Sequence, residues 1–244
     1  MPLVQGLQQG LRSGGLRQGL NGLFSVTSDI TLTVIDSGRH GADADGPTSF
    51  LTTSLTPAAN TVHYLAVMSG LASGAATQPT CTGQGLTWTV VETETISPRR
   101  MTVFRACGAA PTAGQLTVDF AGQVQTSWQW YLISAAGADT SGSDGAGSVV
   151  QATSTSSAAQ GTTWASTLSA FGNPKNRHLC FAAQASSAAF TKDASFTACG
   201  TLTGETTVAL NMIGQEAANI VTCTSTVANV AVFAISIEVK ARVS

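Results

Sequence analysis

From Ile30 onward the sequence is cut into short runs of β-branched and aromatic residues, separated by clusters of Gly, Ser, Thr and Pro. No comparable run carries an apolar residue every 3.6 positions. This pattern limits the fold more than any other feature, because such runs suit a pleated, half-buried surface and the clusters between them suit turns. The predicted strands are ITLTVI (30–35), TVHYLAVM (61–68), LTWTVVE (86–92), MTVFRA (101–106), QLTVDF (115–120) and SWQWYLIS (127–134), followed by VVQATS (149–154), TWASTL (163–168), HLCFAAQ (178–184), TTVALNM (206–212), NIVTCTS (219–225) and VAVFAISIEVK (230–240). No helices alternate with them to cover a parallel sheet. The expected fold is therefore all-β, an antiparallel β-sandwich of jelly-roll-like form. The unbroken apolar stretch from Val230 to Ile237 predicts a central strand covered on both faces.

A chain of 244 residues is long enough for one large β domain or two smaller ones. The turn-rich stretch 137–148, GADTSGSDGAGS, could join two domains, but neither side of it holds enough predicted strands to close a comfortable sandwich. Residues 29–244 are accordingly expected to form a single β-sandwich domain, with residues 1–28 as an arm in front of it.

That arm begins MPLVQGLQQGLRSGGLRQGLNGLF, with leucine returning every three to five residues. Leu3, Leu7, Leu11, Leu16, Leu20 and Leu23 would nearly form a stripe on a helix. Against this, Gly6, Gly10, Gly14, Gly15, Gly19 and Gly22 each disfavour helix by about 1 kcal/mol relative to alanine, roughly 5–6 kcal/mol in all. An isolated helix is not expected. One buried leucine contributes about 1.5–3 kcal/mol, so six offset the ordering of the arm only if some surface accepts most of them. Docking on another subunit is the expectation, through the six leucines, Arg12, Arg17 and Phe24. Arg12 and Arg17 are the only charges before Asp29 and would suit an acidic or carbonyl-rich groove. A disordered leader, or an arm folded back on its own sandwich, is the plainer alternative. Two cations and no aromatic before Phe24 make a poor interfacial helix, so no membrane partner is expected.

Only 10% of the residues are charged, against roughly 25% in an ordinary soluble domain. A net charge of -2 without a Lys/Arg run gives no footprint for phosphate backbones, so nucleic acid is not an expected partner. The odd count of widely spaced cysteines (Cys81, Cys107, Cys180, Cys199, Cys223) fits buried free thiols better than a disulfide framework. Gln, Arg and Gly interrupt any apolar core of a signal peptide in the first 24 residues, which suggests folding in the cytoplasm.

Catalytic signatures are missing. The serine elbow, the P-loop and the dinucleotide fingerprint are all absent. His40, His63 and His178 have no second His or Cys at ligand spacing and read as structural. Asp36, Asp43 and Asp45 in DSGRHGADADGP (36–47) resemble part of a calcium loop but lack its full spacing, so a surface turn is favoured and no metal or cofactor is expected. Glu92 and Glu94 would share one face of a strand, as surface charges and not as a glycosidase pair. Trp128 and Trp130 also share a face; with Trp88 and Trp164 they read as core, with a sugar-stacking platform as the alternative.

The segment GQGLTWTVVETETISPRRMTVFRACGAAPTAGQLTVDFAGQVQTSWQWYLISAAGADTSG resembles a diffuse family of β-sandwich proteins and modules of tailed bacteriophages. The resemblance covers roughly residues 30 to 240 and rests on short motifs of common strand residues. It implies a virion structural protein and not an enzyme, assembled in the host cytoplasm: a capsid decoration (cement) or head spike protein held to the particle by its N-terminal arm. The implied partners are the major capsid protein or other virion proteins, and further copies of the chain, plausibly as a trimer. The alternative it leaves open is a tail adhesin, a receptor- or glycan-binding module.

Overall fold

The computed structural model describes residues 29–40, 47–186, 190–192, 194, 196–203, 208–214 and 218–243. The first half contributes β1 (Thr31–His40), β2 (Ser49–Leu51), β3 (Val62–Gly70), β4 (Thr80–Gly83), β5 (Leu86–Thr87), β6 (Thr89–Ile96), β7 (Arg99–Ala106), β8 (Leu116–Asp119) and β9 (Ser127–Ala136). The second half contributes β10 (Val149–Gln160), β11 (Thr163–Thr167), β12 (Arg177–Gln184), β13 (Phe190–Lys192), β14 (Phe196–Thr203), β15 (Val208–Gly214), β16 (Ile220–Ser225) and β17 (Val230–Val239). A 3-10 turn, Ser143–Ser148, lies between the halves. Each predicted strand overlaps one or two of these elements; β2, β4, β13 and β14 are additional.

These strands build an antiparallel all-β fold of packed sheets, as the periodicity predicts, but with four sheets in place of two. In the first half a five-stranded sheet runs β1-β9-β3-β7-β6 and a four-stranded sheet runs β2-β8-β4-β5. In the second half the orders are β10-β17-β12-β15-β14 and β11-β16-β13. The expectation that neither half could close a sandwich alone does not hold, because the four additional strands complete a pair of sheets in each half.

Alternation along each strand sends successive side chains to opposite faces, and here both faces of the five-stranded sheets are covered. Leu65, Phe104 and Leu132 point toward the small sheet of the first half and meet Phe50, Val118 and Phe120. Cys180, Ala182 and Val232 do the same in the second half, against Trp164, Val221 and Cys223. The opposite faces meet each other: Tyr64, Val103 and Ile133 pack against Leu179, Phe181 and Ile235. Among the described residues this central core, which joins the halves, is the largest, with nineteen buried residues against twelve in the first sandwich. Its position explains why all nine residues of β3 are buried, and why β17 is buried from Val232 onward.

Candidate functional site: the root of the N-terminal arm

The residues expected to dock, Leu3, Leu7, Leu11, Arg12, Leu16, Arg17, Leu20, Leu23 and Phe24, lie outside the described residues. The point at which the chain enters the sandwich is described, and it is firmly built. Ile30 is 6% exposed and belongs to the central core. Beside it, the Asp29 carboxylate accepts a hydrogen bond from Lys175 Nζ at 2.8 Å. That hydrogen bond, the Lys175 charge and, more weakly, Arg177 hold the Asp29 carboxyl below its ordinary range. Gly137 passes so close that a Cβ there would lie 2.3 Å from the Asp29 carbonyl oxygen, and its φ of +80° is one that side chains disfavour.

Around this root, the connection between the halves is clasped by the C-terminal segment. Asp139 N–H donates to Lys240 O, Lys240 N–H to Ser148 O and Arg242 N–H to Gly137 O. Lys240 Nζ then closes a 2.8 Å ion pair with Asp139. Burial works against the charged Asp139, but hydrogen bonds from Lys240 and Ser141, with the Lys240 charge, bring it down to about 2. Below the clasp, the Tyr64 hydroxyl meets Ser148 Oγ at 2.7 Å, and burial pushes its pKa up. Behind it, the buried Glu238 carboxylate accepts from Gln151 Nε2 and Asn176 Nδ2, both at 2.6 Å, while Asn176 Oδ1 accepts from Ala241 N–H. These pairings gather the start of β1, the connection between the halves and the C-terminal segment at one pole of the fold. None of these pairings was legible in the sequence, since Asp139 and Lys240 stand 101 positions apart.

The other candidates fall elsewhere. Trp88, Trp128 and Trp164 are buried, which rules them out as open stacking platforms. Trp128 and Trp130 do share a face, and both stack on Phe50, with centroids 5.6 and 4.9 Å away. Trp130 is half-buried; its Nε1 donates to Asp36, and its ring fills the space where a Gly38 Cβ would stand. Asp36 also accepts from Thr53 N–H, so it organises the protein's own backbone; Asp43 and Asp45 lie outside the described residues. Among the described residues no three His, Cys, Asp or Glu side chains gather as a metal site.

Glu92 and Glu94 stand opposite Val103 and Met101 and share a face, as expected. They lie half-buried along the side of the stack where β6 meets β10. A small cleft between the large sheets is lined by Ala66, Met68, Met101, Gln129, Tyr131 and Phe181, and by neither glutamate. His63 and His178 are buried within β3 and β12, and the His40 side chain lies outside the described residues. Cys81 and Cys180 are buried free thiols, Cys107 is a half-buried one, and Cys223 is buried. Burial pushes the Cys180 thiol up to about 12, far from a reactive thiolate.

No protein-family model, curated protein or solved structure matches the chain.

Proposed function

We propose that the chain is a structural protein of a tailed-bacteriophage virion, a capsid decoration (cement) or head spike protein held to the particle by residues 1–28. The observation that carries this reading is the contrast between the leucine-rich arm and its mount. An arm whose leucines need an accepting surface leaves the fold at a pole where the root, the connection between halves and the C-terminal segment are bound together. Ile30, two residues after the arm in sequence, belongs to the central core. The sparse charge adds support, because few ions must be desolvated where such a surface meets neighbours. Most consecutive strands step between two packed antiparallel sheets, and sandwiches of that general kind serve capsid and lectin domains, which supports the reading by analogy of fold alone.

A decoration protein binds the assembled lattice and not the free subunits, and so stabilises the lattice by an amount set by its affinity and concentration. The decisive experiment removes residues 1–28 and follows incorporation into particles. Loss of incorporation with the sandwich still folded is the expected result; full incorporation of the truncated chain refutes the anchor. The adhesin alternative keeps only Trp130 as a half-exposed indole, and it would require the truncated chain to bind glycan as well as the full one does.

A further inference from the structure

We infer that the chain is an internalised dimer: two copies of one sandwich, joined in tandem, that bury against each other the surface a single copy would use to pair with its twin. The first support is wiring. Replacing β1, β9, β3, β7 and β6 by β10, β17, β12, β15 and β14 converts the first large sheet into the second, strand for strand. The same replacement turns β2-β8-β4 into β11-β16-β13. Side-chain landmarks follow the wiring. An aromatic is the second residue of β2 and of β11, Phe50 and Trp164, and each fills the core of its own sandwich. Histidine is the second residue of β3 and of β12, and each ring has a nitrogen close to a backbone carbonyl, Ala58 O at 3.2 Å and Ala218 O at 2.9 Å.

The second support is how the copies meet. β6 lies against β10 at one side of the stack and β1 against β14 at the other. Under the correspondence these are counterpart contacts, since β10 is the counterpart of β1 and β14 of β6, with the β6–β10 contact the more extensive of the two. Reciprocity of this kind is the signature of an isologous, two-fold interface. It also fixes the axis. Exchange of the two layers together with reversal of the strand order is a half-turn about a line parallel to the strands, between β3 and β12. Counterparts on those two strands then stand at the same height, and Ala66 and its counterpart Phe181 do line the same small cleft. The partner this buried surface fits is therefore a second copy of the same sandwich, and the whole molecule presents one type of outer sheet twice, on opposite sides.

The test exchanges counterparts in the full-length chain. Ala66→Phe crowds the interface and Phe181→Ala hollows it, so each alone lowers the unfolding midpoint. A two-fold axis carries one position onto the other, so the double variant should regain at least half of the summed loss. Losses that simply add would overturn the inference. If either phenylalanine variant fails to fold, Met68→Ala with Ala183→Met repeats the exchange one step along the strands with a smaller change in volume, and the same two outcomes decide.

Discussion

In the first sandwich the space between the sheets is filled largely by rings: Phe50 packs on Phe120, Trp128 and Trp130, with centroids 4.9–6.0 Å apart. In the second, the described residues of the same space are Trp164 and Phe196 with the smaller Cys180, Ala182, Val221, Cys223, Val232 and Ala234. The second also buries polar groups, pairing Ser166 with Ser236 at 2.8 Å and enclosing Glu238. The strand partner of His178 is Glu238, whereas that of His63 is Ser134. One wiring is thus reached with two quite different sets of side chains. What the halves share is strand period and the position of a few anchors, so the arrangement is carried by pattern and the particular core residues set how each half is stabilised.

The largest effect should come from breaking the ring-filled core. Phe50→Ala removes the ring on which three others pack and should cost about 3–5 kcal/mol in denaturant unfolding. A loss below about 1 kcal/mol would mean that the rings do not support the first sandwich. Next comes the polar core of the second half. Asn176→Ala leaves Glu238 short of a donor and the Ala241 N–H without its acceptor, for an expected loss of about 2–3 kcal/mol. The same unfolding curves measure it, and Ser134→Ala, at the counterpart of Glu238, should change little.

The smallest effect belongs to the joint between the halves. Asp139 is depressed in the folded state, so its contribution is present above its ordinary value of 3.8 and is lost as pH falls toward about 2. Asp139→Asn should cost about 1–2 kcal/mol near neutrality, allowing for solvent around Lys240, and little once the pH is well below the folded value. Unfolding midpoints of the two proteins, compared across that range, should converge as the acid limit is approached.

Legibility in the sequence divides along similar lines. Strands with several β-branched or aromatic residues could be read directly, including the covered β17. β2, β4 and β13 escaped because three or four residues give too little periodicity, and β14, FTACGTLT, because small residues and Gly200 dilute its pattern. Without them each half seemed short of strands, which concealed the second sandwich and the repeated wiring. The leucine and glycine pattern of residues 1–24 is legible in the sequence, but the pole at which β1 begins is not, because it depends on pairings such as Asp29 with Lys175 and Asp139 with Lys240, between residues that only the folded chain brings together.

The proposed anchoring role of residues 1–28 is tested most directly by imaging, at side-chain resolution, the phage particles into which the chain is proposed to assemble. The account predicts density for the arm seated on a neighbouring polypeptide, with Leu7, Leu11, Leu16 and Leu20 enclosed there. Density that places the arm wholly against its own sandwich, or a particle contact made by the sandwich alone, would contradict it.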